Sequence, residues 1–141
     1  MKHINLIVIL AAVILFASCN KSQQRNTACG TQVCSDIFMS VGVSFTDKNN
    51  DPIVITNFEA IDLRTNKPLV HVVSPNIDYL AGYEIVVDDS NLKDLSTDGD
   101  NVKVSATNPA TGEIQTATLK ISGGCNCDVA KLSGPDKIPF D

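Results

Sequence analysis

The sequence predicts an all-β protein, built as a single sandwich of about seven strands. Within several short segments, apolar and polar residues alternate with the period of two that is typical of a half-buried strand. Turn-forming clusters rich in Asn, Asp, Gly and Pro separate these stretches at short intervals. Several short strands with turn signals between them, in a chain long enough for one domain, favour two stacked sheets.

The first strand shows the alternation most clearly. It covers residues 39–46, with the larger apolar side chains Met39, Val41, Val43 and Phe45 on one face. Small and polar residues occupy the other face. The pattern therefore predicts a strand that buries one side and exposes the other.

The remaining elements are assigned in chain order. The further predicted strands are 53–63 (which Asn57 would interrupt), 69–73, 83–87, 102–106, 117–121 and 125–132. Residues 88–95 hold the one predicted helical turn, with Asp88, Asp89 or Ser90 as its cap. Residues 108–112 are predicted to form a hairpin loop, and residues 133–135 to end the last strand.

The turn after the first strand carries a family resemblance. Residues 43–53 contain Asp47-Lys48-Asn49-Asn50-Asp51-Pro52, which resembles the D-x-N-G-x-P turn of carboxypeptidase-regulatory-like and related Ig-like repeats in secreted bacterial proteins. Asn50-Asp51 stands where Asn-Gly is usual. The resemblance implies an Ig-like or prealbumin-like sandwich with an accessory, non-catalytic role.

The N-terminus has the composition of an export signal. A basic start, Met1-Lys2-His3, precedes residues 4–16, which are apolar except for Asn5, and a polar stretch follows at residues 20–26. Thirteen helical residues reach only about 20 Å, against the roughly 30 Å of a bilayer core. A cleaved signal is therefore favoured over a permanent membrane span.

The residues at the end of this signal carry a second resemblance. Phe16-Ala17-Ser18-Cys19 is similar to the lipobox of bacterial lipoproteins, with Phe16 in place of the usual Leu. The resemblance implies cleavage before Cys19 and attachment of diacylglycerol to its thiol, with further acylation such as palmitate on the new amine. The alternative is an ordinary cleaved signal that leaves an unpaired thiol, a liability in an oxidising compartment.

This assignment divides the chain into three parts. Residues 1–18 are the predicted signal peptide, residues 19–28 the lipidated cysteine with a flexible tether, and residues 29–141 the β-sandwich domain. Two or three acyl chains would hold that domain durably on a membrane. The formal net charge of −5 argues against nucleic acid as a partner and against a polybasic grip on anionic lipid.

Four cysteines remain once Cys19 is lipidated, and an even number in an exported domain favours two disulfides. They are Cys29, Cys34, Cys125 and Cys127. Three pairings are open, of which Cys125–Cys127 is disfavoured because one intervening residue strains disulfide geometry. Cross-links between the first two and the last two are favoured. The alternative is a tetra-thiolate zinc site or a redox centre, although Cys-x2-Cys spacing is absent.

Catalytic constellations are sparse. His71, the one histidine outside the signal, lies in a strand-like stretch with no Gly-x-Ser-x-Gly elbow to partner it. The carboxylate pairs Asp88/Asp89 and Asp98/Asp100 stand where aspartate caps helices and stabilises turns. With no tryptophan and with Tyr79 and Tyr83 as the only tyrosines, a glycosidase cleft is a poor fit. We expect no catalytic residues, no cofactor and no enzyme activity.

Calcium is a further candidate at Asp47, Asn49 and Asp51, whose oxygens stand at alternate positions. Pro52 occupies the place of the turn glycine of an EF-hand, and Phe58 that of its bidentate glutamate. A polar hairpin turn is the favoured interpretation, and calcium binding stays open.

The sequence thus predicts a membrane-anchored lipoprotein with a non-catalytic module that binds a ligand or an envelope protein. Asn20 follows the predicted lipidated cysteine, where lipoproteins retained in the inner membrane carry Asp, so the outer membrane of a Gram-negative cell is favoured. The alternative is a metal-binding or thiol-redox lipoprotein that uses Cys29, Cys34, Cys125 and Cys127.

Overall fold

A computed structural model describes residues 29–30, 33–70 and 81–141. The predictions for residues 1–28, which include the signal peptide, Cys19 and the tether, lie outside the described residues. So do those for His71 and Tyr79 and for most of the predicted strand 69–73.

The described residues form eight strands and one short 3-10 helix. The strands are β1 Ser40–Thr46, β2 Thr56–Asp62, β3 Lys67–Pro68, β4 Tyr83–Asp88, β5 Asp100–Thr107, β6 Ile114–Ser122, β7 Ala130–Ser133 and β8 Lys137–Pro139. The 3-10 helix spans Asp89–Asn91. Within these ranges no helix is long and apolar enough to cross a membrane.

Two sheets enclose one core, which confirms the predicted all-β sandwich. One sheet has the strand order β4-β1-β8 and the other the order β3-β2-β5-β6-β7. All pairs are antiparallel except β1 with β8. The side chains of Phe45, Val102, Leu119 and Phe140 are almost fully buried between the sheets. Phe45 contacts Phe140 with ring centroids 6.0 Å apart.

Several predicted elements are confirmed in place. In β5 the side chains of Val102, Val104 and Ala106 are buried, as the alternation predicts. The break near Asn57 is real, because its φ is 52° and the register between β2 and β5 shifts there. Residues 108–112 form the hairpin loop between β5 and β6, closed by a bond from the Gly112 amide to the Asn108 carbonyl.

Met39 was wrongly placed in the buried face of the first strand. Strand β1 begins at Ser40, and the Met39 side chain is 43% exposed. Its amide donates to the carboxylate of Asp89, and its carbonyl accepts from the Asp89 amide. The Met39 amide thus bonds to a side chain, and regular pairing of β1 with β4 begins one residue later, at Ser40.

The C-terminal prediction was partly wrong. Residues 125–129 are irregular, and the last predicted strand forms only as β7. Strand β8 was missed, since Pro135 and Pro139 flank or end a stretch of only three residues. Ile138 within it is buried, and β8 pairs with the end of β1.

Candidate functional site

Two disulfides link the N-terminal segment to the loop after β6. Cys29 pairs with Cys125 and Cys34 with Cys127, at sequence separations of 96 and 93 residues. This is one of the two cross-linked pairings that the sequence left open. Both bridges lie where β6 ends, which we call the disulfide end of the sandwich.

The loop that carries Cys125 donates hydrogen bonds to a neighbouring turn. The Cys125 amide donates to Oγ1 of Thr97 at 3.0 Å, and Nδ2 of Asn126 donates to the Thr97 carbonyl at 3.0 Å. Gly124 has a φ of 61°, and a Cβ there would lie 2.8 Å from the Thr97 amide nitrogen. Glycine is therefore required for the chain to pass this close to Thr97.

The carboxylates of Asp88 and Asp89 both bind backbone amides at the disulfide end. Asp88 caps the 3-10 helix by accepting from the Ser90 amide at 2.8 Å. Asp89 accepts from the Met39 amide at 2.7 Å through one oxygen and from the Val129 amide at 2.9 Å through the other. This pair acts as a structural clamp, in line with the capping role that its turn context suggested.

A second set of carboxylates surrounds Arg64, at the same end. Nε of Arg64 donates to Oδ1 of Asp100 at 2.8 Å, and Nη2 donates to the carbonyl of Asp94 at 2.7 Å. Nη2 also lies 3.5 Å from Oδ2 of Asp62. The amide of Ser96 donates to the other oxygen of Asp100 at 2.7 Å. Asp62 and Asp100 are buried, and in this network the hydrogen bonds of Arg64 join the turn after β2 to residues 94–100.

The electrostatics of the network favour its charged form. Burial raises the pKa of Asp100, but the hydrogen bonds from Arg64 and Ser96 outweigh it and hold the pKa below the ordinary value of 3.8. The hydrogen bond to Asp100 raises the pKa of Arg64. Sequence reasoning missed the network because Arg64 and Asp100 are 36 residues apart; Asp100 itself was singled out only with Asp98.

Arg64 lies between two open cavities. Their volumes are about 430 and 310 Å³. The first is lined by Leu63, Arg64, Gly99, Asp100, Asn101 and Lys120, and the second by Arg64, Thr65, Lys67, Pro68, Leu69, Lys93 and Asp94. The second cavity is lined by three cations, Arg64, Lys67 and Lys93, and by one carboxylate, that of Asp94. Neither cavity brings together a nucleophile, a base and an orienting group.

Asp47, Asn49 and Asp51, weighed above as calcium ligands, form a self-contained turn at the other end of the sandwich. The Asp47 carboxylate accepts from the amides of Asn49 and Asp51 at 2.8 and 2.9 Å, and from Nδ2 of Asn49 at 3.2 Å. These bonds, chiefly that from the Asp51 amide, lower the pKa of Asp47. Thr46 and Pro52 form a bridge across the turn. The polar turn is therefore confirmed, and both carboxylate oxygens of Asp47 accept from N–H donors within it.

Metal ligation by the four cysteines requires thiolates, and in this structure the four sulfur atoms form two disulfides. Among the described residues, no three His, Cys, Asp or Glu side chains converge as a metal site. The carboxylate pairs singled out from the sequence contribute caps, clamps and turns.

Fold and site together define a disulfide-linked, two-sheet β-sandwich. Comparison with protein-family models, with curated proteins and with solved structures finds no match to this chain.

Proposed function

We propose that the chain is a membrane-anchored lipoprotein whose non-catalytic β-sandwich binds a ligand or a partner protein at the cell envelope. The observation that carries the proposal is the pair of disulfides at one end of the sandwich. They fix the segment that follows the predicted tether to the loop after β6. Two such bonds are typical of proteins that fold outside the cytoplasm.

The strand directions give the domain two distinct ends. Strand β6 runs from Ile114 to Ser122 and then enters the loop that carries Cys125. The turn 47–51 and the hairpin loop 108–112 therefore lie at the opposite end, where β1 and β5 finish. With the lipid on Cys19, these polar loops would point away from the membrane, where a partner at the envelope could reach them. Loops on a rigid scaffold commonly carry binding function.

A non-catalytic role is supported by what the acidic side chains do. Asp88 and Asp89 hold backbone amides, and Asp100 holds Arg64 and Ser96. Each of these carboxylates has structural partners that account for its position. Asn20 after the predicted lipidated cysteine favours the outer membrane of a Gram-negative cell as the location.

The anchor is tested by detergent-phase partitioning of the full chain expressed in Gram-negative cells supplied with labelled palmitate. We expect the protein to enter the detergent phase and carry label, and the Cys19→Ala variant to do neither. The double variant Cys29→Ala/Cys125→Ala is the control, because it loses two cysteines but keeps Cys19. An unlabelled wild-type protein in the aqueous phase would refute the lipoprotein assignment.

A thiol-redox or zinc lipoprotein is the competing candidate. Alkylation of the native protein without reductant distinguishes the two. We expect no alkylated cysteine and no bound zinc. Four alkylated cysteines after chelation, with one zinc released per chain, would contradict the disulfide-linked module and favour the zinc lipoprotein.

A further inference from the structure

Four apolar side chains are exposed within seven consecutive residues beside the disulfides. Val33 is 98% exposed, Ile37 64%, Phe38 65% and Met39 43%. We call residues 33–39 the apolar segment. The other large apolar side chains exposed among the described residues stand singly on different parts of the fold: Val54, Leu63, Val70, Ile114 and Leu132. Scattered exposed residues are ordinary, whereas several exposed apolar side chains close together in the chain favour a surface that contacts protein or membrane.

The apolar segment is held in place at both ends. Cys34 within it is bonded to Cys127, and Met39 exchanges two hydrogen bonds with Asp89. These constraints fix the segment on the surface of the disulfide end. The segment between these two attachments therefore stays at the disulfide end.

The distance to the predicted lipid identifies the occupant of this surface. Cys29 follows Cys19 by ten positions, and ten residues span at most about 36 Å. An anchored domain therefore keeps Cys29, at its disulfide end, within that distance of the lipid. The opposite end of β6 lies about 27 Å further along that strand.

The charge of the protein indicates which lipid headgroups the apolar segment can contact. Asp36 is the one charged residue in the apolar segment, and the whole chain carries a net charge of −5. Neither favours contact with an anionic headgroup, since like charges repel at short range. On a neutral or zwitterionic surface this repulsion is absent, and the apolar side chains determine the strength of the contact.

We infer that the apolar segment lies at the headgroup boundary of the same membrane that holds the lipid anchor, with Ile37 and Phe38 inserted among zwitterionic lipids. This inference rests on the proposed lipidation of Cys19. The contact orients the sandwich, so that the loops 47–51 and 108–112 face away from the bilayer. Apolar and aromatic side chains at this depth add binding in proportion to the area they bury.

The absence of tryptophan from the sequence permits a direct test with a single fluorescent reporter. Phe38→Trp places it in the apolar segment. Ile114→Trp is the matched control, because Ile114 is equally exposed, at 65%, and begins β6 at the opposite end. Each lipidated full-length mature protein is incorporated into phosphatidylcholine vesicles with brominated acyl chains, which quench only tryptophan near the hydrocarbon.

We expect emission of the Phe38→Trp protein to shift to the blue and to fall about twofold or more, and emission of the control to change little. Ile37→Asp added to the reporter should abolish the quenching while the protein still floats with the vesicles. Replacing part of the lipid with phosphatidylglycerol should not strengthen it. If Phe38→Trp fails to fold, Ile37→Trp serves in its place, since Ile37 is equally solvent-facing.

Three results would overturn the inference. Unquenched Phe38→Trp in protein that floats with vesicles would leave the anchor intact but remove the contact. Equal quenching of both reporters would exclude an oriented domain. A blue shift that needs no lipid and grows with protein concentration would assign the surface to a second copy of the chain. Protein that fails to float would instead refute the lipid anchor itself.

Discussion

The carboxylate of Asp89 accepts a hydrogen bond from the amide of Val129 at 2.9 Å, across 40 residues of sequence. Its second oxygen accepts from the amide of Met39 at 2.7 Å. One side chain thus joins the segments that carry Cys34 and Cys127 to the end of β4. The Cys34–Cys127 disulfide joins the same two segments, so the disulfide and the Asp89 hydrogen bonds stabilise one arrangement of the chain.

Asp89→Ala should lower the free energy of unfolding by about 1–3 kcal/mol, because it leaves the buried Val129 amide without its partner. Asp89→Asn should cost less, since its amide oxygen still accepts one bond. Chemical denaturation under non-reducing conditions measures both. Asp98→Asn, on an exposed turn of the same end, is the control and should stay within about 0.5 kcal/mol of wild type. Equal effects at positions 89 and 98 would contradict the clamp.

Removing a disulfide should depend on which two cysteines are replaced together. Cys29→Ala/Cys125→Ala should keep the other bridge, show no free thiol among the remaining pair, and lose about 2–4 kcal/mol of stability. Cys29→Ala/Cys127→Ala should be less stable, because Cys34 and Cys125 are each left without a native partner. Thiol counting and urea denaturation of the two variants provide the comparison. A more stable Cys29→Ala/Cys127→Ala protein would show that the pairing is crossed.

The buried carboxylate of Asp100 should make stability fall in acid. Its pKa is lowered in the folded state, so its contribution is fully present above the unfolded pKa of about 3.9 and is lost as pH falls below 4 through the folded value. Asp100→Asn should lower the free energy of unfolding by about 1–3 kcal/mol at pH 7 and flatten the decline in stability between about pH 5 and pH 2. Denaturation curves across this range measure the slope.

Arg64→Leu is the partner variant in that experiment. It removes the hydrogen bond to Asp100, so it should destabilise the protein at pH 7 and differ less from wild type once Asp100 is protonated. An unchanged acid slope in Asp100→Asn would assign the acid sensitivity to other carboxylates.

The turn 47–51 should behave as a hydrogen-bonded turn when Asp47 is replaced. Asp47→Ala should lower the melting temperature, because the amides of Asn49 and Asp51 lose their acceptor. Millimolar calcium should leave the melting temperature of the wild type unchanged. A rise with calcium that Asp47→Ala abolishes would instead establish a cation site there.

The parts of the fold that sequence predicts are those set by local pattern. Alternation placed β1, β5 and β6, and Asn57 indicated the irregularity in β2, because side-chain period and turn preference act over a few residues. Strand β8 was not predicted, because a segment of three residues is too short to show an alternation of apolar and polar side chains. Pairing with β1 and burial of Ile138 create that strand, and both depend on distant contacts.

The site divides in the same way. Cysteine number and compartment predicted two cross-linking disulfides, yet the choice of partners needs spatial proximity that sequence lacks. Asp89 was singled out as a possible helix cap, while its bonds to Met39 and Val129 span 50 and 40 residues. No role was predicted for Arg64, because its acidic partner Asp100 is brought close only by the pairing of β2 with β5.

Lipidation of Cys19 is tested most sharply by mass spectrometry of the N-terminal tryptic peptide of the mature protein isolated from cell envelopes. We expect a peptide that begins at Cys19, ends at Lys21 and carries diacylglycerol on the cysteine sulfur. An unmodified Cys19, or an N-terminus at any other residue, would contradict it.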